Sequence, residues 1–153
     1  MKNNNFVSKS LIMVLILALL ISCKAEFVKL PEHKTDKSKI EFAVKIANSF
    51  FTTLKNGDSF NFNNNATKSF SLKMTPDFQK QIYGQIKSTF GNFESLTYSS
   101  TWEENGNTDL QIIRLKGNFE KSEAPLEIRI VLNNSYKITG LWVKPWRNNL
   151  SSF

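Results

Sequence analysis

The residues able to do covalent or acid–base chemistry are few in this chain, and most stand where they cannot cooperate. Among 153 residues there is one Cys and one His. An intrachain disulfide is therefore excluded, and a Cys/His structural zinc site lacks its ligands. The imidazole of His33 belongs to a charged, aperiodic stretch just after Pro31, where solvation is expected rather than the fixed pose a general base needs. Glu103 and Glu104 are adjacent carboxylates, but neighbours on a strand point to opposite faces and do not converge on one substrate. Asp58 and Asp77 fall where helix starts favour negative charge. The sequence contains no Gly-x-Ser-x-Gly elbow, no phosphate loop and no Rossmann glycine pattern. No catalytic residue, metal ligand or cofactor is assigned, and the expectation leans away from an enzyme.

Cys23 is the exception. It closes the one long apolar run, residues 11–21, which follows a short segment carrying Lys2 and Lys9. A basic start before such a run has the shape of a secretory signal, and the run is short of the ~20 residues that cross a bilayer. The tetrapeptide Leu20-Ile21-Ser22-Cys23 resembles a bacterial lipobox. That resemblance implies diacylglycerol (palmitate-type acyl chains) on the Cys23 thiol, cleavage between Ser22 and Cys23, and acylation of the new amine. Two or three chains anchor stably, whereas one gives only marginal binding. A structural Cys inside an uncleaved anchor is the alternative. The residue after Cys23 is Lys24 and not Asp, so the outer membrane is the expected destination in a Gram-negative cell. Cleavage takes two lysines with it and lowers the net charge from +7 to +5.

The elements that follow are readable from period and punctuation. Residues 1–22 are the leader and 23–37 a charged tether; residues 38–146 form one domain, and 147–153 a short polar tail. Ser38-Lys39-Ile40-Glu41 fits a capping box. Ile40, Ala43, Ile46, Ala47, Phe50 and Leu54 follow at helical spacing, and Asn56-Gly57 supplies a left-handed stop. Residues 58–66 are expected to form a second short helix, despite their Asn content. Thr75-Pro76 opens a third, with Phe78, Ile82 and Ile86 on its stripe and Gly91 at its end. The period then changes to two. Leu96, Tyr98, Ser100 and Trp102 alternate, a turn at Asn105-Gly106 leads to a strand over 110–119, and the adjacent Ile112-Ile113 suggests a bulge. Strands over 126–132 and 136–143 flank the turn at Asn133-Asn134-Ser135. The fold class is α+β: N-terminal helices packed on a four-stranded antiparallel sheet.

Two surfaces follow from the alternation. Tyr98, Trp102, Phe119, Tyr136 and Trp142 are assigned to the concave, helix-facing side, where they either line a ligand pocket or fill the core. Core filling is favoured, because a domain this small needs large side chains to close. The opposite side carries Arg114, Lys116, Arg129, Lys137 and Thr139 among Val131, Leu141 and Val143. It reads by default as a solvated face. Arg114, Arg129, Val131 and Leu141 are its candidate contacts for a partner or a second copy. Nucleic acid is a poor partner, since an exported, lipidated chain rarely meets it and no recognition helix is visible.

The order of elements also resembles a known family. Leu54-Lys55-Asn56-Gly57-Asp58, Met74-Thr75-Pro76, Phe90-Gly91-Asn92-Phe93, Leu115-Lys116-Gly117-Asn118-Phe119 and Ile138-Thr139-Gly140-Leu141-Trp142-Val143-Lys144-Pro145 are similar to segments of a small bacterial domain of unknown function. That domain belongs to the nuclear-transport-factor-2-like (cystatin-like) superfamily and occurs in lipoproteins and beside α/β-hydrolase domains. The Asn-rich stretch at residues 61–65 departs from its helical pattern. The resemblance implies three helices against a curved sheet, a cone that often holds a pocket. The resulting expectation is a membrane-anchored envelope lipoprotein that binds a small molecule or an envelope protein without catalysis. A small enzyme or accessory domain of a neighbouring hydrolase, and a homodimeric structural protein, are the alternatives.

Overall fold

The structure, a computed structural model, describes residues 27–150. In chain order the elements are β1 (Phe27–Lys29), a 3-10 turn (Glu32–Lys34), α1 (Lys37–Lys55), a second 3-10 turn (Asn63–Asn65), α2 (Lys68–Lys73), α3 (Pro76–Phe90), β2 (Phe93–Glu104), β3 (Asn107–Phe119), β4 (Leu126–Asn133) and β5 (Ile138–Pro145). The strands form one antiparallel sheet in the order β1-β2-β3-β4-β5. The α+β class is as the sequence predicts, but the sheet has five strands and not four. The additional strand comes from the stretch read as tether: Phe27, Val28 and Lys29 pair with Glu104, Glu103 and Trp102. Three residues are too few to display a period, so the pairing is invisible until β2 is in place.

Helix α1 is capped two residues ahead of the expected Ser38. The Asp36 carboxylate accepts from the amides of Ser38 (2.9 Å) and Lys39 (3.2 Å), joining a cap hydrogen bond to a favourable charge at the helix start. Its apolar face buries Ala43, Ile46, Ala47, Phe50, Phe51 and Leu54, and Gly57 leaves it at φ +90°.

Residues 58–66 do not form the second helix. Asn63 sits at φ +47° and its amide is held by the Asn61 side chain at 2.8 Å, a local side-chain turn that competes with helix. The helix begins later, where the Thr67 hydroxyl accepts from the Phe70 amide. Helix α3 has the expected Thr75 cap and first-turn Pro, but its buried face is rotated by about one residue. Gln79, Tyr83 and Ile86 are buried, Ile82 is half-buried, and Phe78 is 42% exposed. Gln79 explains the rotation. Its amide oxygen accepts from Phe60 N at 2.8 Å, and its amide nitrogen donates to Phe60 O and Met74 O, both at 2.9 Å. A polar side chain that satisfies three backbone groups is worth more inside than a ring.

Bulges occur on β2, not at Ile112-Ile113. The register steps by two residues between Phe93 and Ser95 and between Tyr98 and Ser100, while β3 advances by one. Ile112 and Ile113 lie in an unbroken register with Val131 and Ile130. Both are buried, Ile113 on the helix side and Ile112 on the opposite side of the sheet.

The core between helices and sheet is dense in phenylalanine. Phe51 stacks on Phe93 at 5.2 Å and meets Phe119 edge-on at 6.0 Å, while Phe50, Phe60, Phe62 and Phe70 form a second group, edge-to-face except for the tilted Phe50–Phe62 pair. Burying one such ring stabilises by roughly 1.5–3 kcal/mol. The rings fill the space between the helices and the sheet.

Candidate functional site

Directly opposed residues of antiparallel strands share a face, so the register assigns the sheet surface away from the helices. One rank across β2 to β5 is Ser100, Arg114, Arg129 and Trp142. On one side of it lie Trp102, Ile112, Val131 and Gly140; on the other, Lys116, Glu127 and Lys144. The third tryptophan, Trp146, follows β5 and folds back over Arg114. All three tryptophans of the chain therefore stand on this outer face.

Its centre is an ionic triad. Glu127 takes Arg114 in a two-pronged contact, Nε to Oε1 at 2.8 Å and Nη2 to Oε2 at 2.9 Å, and Oε1 also accepts from Arg129 Nε. Arg114, Glu127 and Arg129 are 1%, 1% and 0% exposed. The remaining Arg114 donors go to the tail: Nη2 to Arg147 O at 2.5 Å and Nη1 to Asn148 O at 3.4 Å. Its guanidinium carbon lies 4.6 Å from the Trp146 ring centre and 5.8 Å from that of Trp102, and Lys116 Nζ sits 4.8 Å from the Trp146 ring. Trp102 donates its indole N–H to Ser100 at 2.9 Å. The Trp142 indole lies across Gly140, where a Cβ would come within 1.9 Å of the ring. Glycine is required there for room.

The electrostatics favour a fixed positive surface over proton transfer. Burial pushes the Glu127 carboxyl up, but the hydrogen bonds and charges of Arg114 and Arg129 outweigh it and hold the group below the usual carboxylate range. Burial lowers Lys144, Arg129 and Arg147 lower it further, and Glu127 partly opposes them. A carboxylate held ionised between two guanidinium groups is a poor proton carrier near neutral pH.

The residues expected at a site are dispersed. Cys23 and Ser22 lie outside the described residues. Phe119 is in the core beside Phe51 and Phe93. Tyr98 is exposed, with its hydroxyl 3.0 Å from that of Thr101. Tyr136 occupies the β4–β5 turn at φ +57° and donates its hydroxyl to Asp36 at 2.7 Å. Trp102 and Trp142 are on the outer face. The five aromatics thus share no concave surface, because the bulge at Ser99 moves Trp102 to the side opposite Tyr98. Arg114, Arg129 and Val131 do come together on the outer face, but buried and not solvated. Leu141 and Val143 pair with Ile130 and Ile128 and face the helices instead.

Glu127, Lys144 and Trp146 were missed. The alternation of Glu127 with Arg129 on one strand carried a signal for the first; Trp146, beyond the strand, carried none.

Shallow depressions mark the surface of the domain. One of about 450 Å³ is lined by Lys29, Leu30, Pro31, Glu32 and Tyr98 to Ser100. Another, of about 340 Å³, is lined by Phe60, Phe62, Met74, Pro76 and Gln79 among others. Neither is lined by Trp102, Phe119, Tyr136 or Trp142. Among the described residues there is no group of three His, Cys, Asp or Glu able to hold a metal, and no helix long and apolar enough to cross a membrane. His33 is exposed in the first 3-10 turn. Comparisons with known proteins found no matching family model, no matching curated protein and no matching solved structure.

Proposed function

We propose that this chain is an exported cell-envelope lipoprotein, held to the membrane through lipid on Cys23, whose domain works by binding rather than by catalysis. The observation that carries the anchor is the position of the lone Cys. It ends the apolar run at lipobox spacing, only four residues before the first strand begins at Phe27. With Lys24 after the cysteine, the outer membrane is the destination in a Gram-negative cell.

The binding role is supported by how the molecule spends its side chains. The space between helices and sheet is filled by phenylalanine rings, so a ligand or envelope partner is taken at the surface and not inside a cone. Three helices followed by an antiparallel meander are compatible with the nuclear-transport-factor-2-like architecture, here with its interior closed. The small-enzyme alternative needs a tyrosine hydroxyl in a cavity beside a buried carboxylate. The Tyr136 hydroxyl meets a helix-capping Asp36 at the surface, which gives that alternative no support.

The decisive test is metabolic labelling with palmitate in a host that processes lipoproteins. Wild type incorporates label and Cys23→Ala does not. Equal labelling of the two overturns the proposal.

A further inference from the structure

We infer that the outer sheet face, from Phe27 and Lys29 across Trp102 to Trp142 and Lys144, is the surface with which the domain lies on an anionic phospholipid bilayer. The inference deepens the lipoprotein reading and rests on it for the anchor alone. The first argument is chain length. Phe27 lies four positions after Cys23, and that span reaches at most about 14 Å. A lipid on Cys23 therefore keeps strand β1 within reach of the headgroups. The second is register. Lys29 opposes Trp102 and Phe27 opposes Glu104, so two of the three residues of the edge strand nearest the anchor, one of them a lysine, extend the tryptophan-bearing face.

The third argument is composition. This face and its tail carry Lys29, Arg114, Lys116, Arg129, Lys144 and Arg147 against the carboxylates Glu104 and Glu127. Glu127 is already engaged by both buried arginines. The cations Lys29, Lys116 and Arg147 are exposed and can meet phosphate, Lys116 from its place beside the Trp146 ring, while Arg114 and Arg129 strengthen the local field from beneath. Around them, Trp142 is 36% exposed and Trp102 and Trp146 are half-buried. Indoles with an apolar body and a polar N–H favour the bilayer interface. Lysines near a negative surface add attraction that salt screens. Neither feature alone specifies a membrane. Their coincidence on the face that adjoins the anchor does.

The test uses protein beginning at residue 24, which lacks the lipid but keeps every element of the core. It is mixed with vesicles of phosphatidylcholine alone or with roughly one third phosphatidylglycerol. Binding is read by co-sedimentation and by quenching of tryptophan emission with brominated acyl chains. The expected result is about tenfold stronger binding to the anionic vesicles, reversed by high salt, with tryptophan quenched. Lys116→Glu, an exposed change, cuts binding several-fold, while Lys45→Glu on the helical side leaves it unchanged. Trp142→Ala weakens binding and lowers quenching, and a thermal melt of each variant shows that it is folded.

Equal binding to both vesicle types, equal effects of Lys45→Glu and Lys116→Glu, or unquenched tryptophans overturn the inference. So does a dimer in sedimentation velocity that protects the tryptophans and ignores vesicles, which would assign the face to a second copy. Because the protein carries no lipid, failure here leaves the palmitate result standing. Failure of labelling with vesicle binding intact removes only the anchor.

Discussion

Replacing Glu127 by Gln probes the outer face most directly, because it removes one charge and almost no volume. In the native protein that carboxylate neutralises two guanidiniums that are themselves almost fully buried. At an effective dielectric near 20, each contact of about 4 Å or less is worth about 4 kcal/mol of attraction, and desolvation has already consumed much of it. What remains on removal is the cost of two uncompensated buried cations, about 3–5 kcal/mol for a broken buried pair. Gln retains one acceptor oxygen for Arg114, so about 3 kcal/mol is expected. For a domain of this size that lowers Tm by on the order of 10–15 °C. Urea unfolding followed by tryptophan emission is a suitable assay, since all three tryptophans surround the triad. Arg114→Met should cost less in the Glu127→Gln background than in wild type, because the two share one interaction. The pH dependence has a defined sign. Glu127 titrates below its ordinary value in the fold, so the unfolded chain binds more protons across that window. Its contribution is complete above the ordinary carboxylate value and disappears as pH falls through the folded one. The gap between wild type and Glu127→Gln therefore closes in acid. A cost below ~1 kcal/mol, the size typical of exposed pairs, would refute the reasoning and return the face to solvent.

Three further outcomes are expected. Gln79→Leu strands Phe60 N, Phe60 O and Met74 O and should lower stability by about 2–4 kcal/mol, with earlier amide exchange around Phe60. Tyr136→Phe removes the hydrogen bond that is the main cause of the lowered Asp36 carboxyl; the Asp36 titration followed by NMR should move up toward the ordinary carboxylate value. Gly140→Ala drives a methyl into the Trp142 ring, so the indole must leave its position; a shifted tryptophan emission and a loss of about 1–3 kcal/mol are expected, and an unchanged spectrum would contradict the packing.

The amino-acid sequence by itself determined the class and most of the element order. Ala43, Ile46, Phe50 and Leu54 mark a helix face, and Leu126, Ile128, Ile130 and Leu132 mark a strand, because a backbone period projects directly onto burial. Punctuation by Asn56-Gly57, Thr75-Pro76 and Gly91 was equally legible, since those residues act through local dihedrals and caps. The chemical role proposed for Cys23 is also a sequence property, a matter of spacing from an apolar run. Three things depended on tertiary structure. The short β1 is a strand only because β2 offers it a ladder. Gln79 displaces Phe78 from the buried face because the amide and carbonyl of Phe60, nineteen residues away, and the carbonyl of Met74 need partners. The outer face is a buried ionic layer only because residues from β2, β3, β4, β5 and the tail meet there. One bulge residue, Ser99, reverses which side Trp102 occupies. Alternation says that two sides exist; register, which no single strand encodes, decides what each side holds.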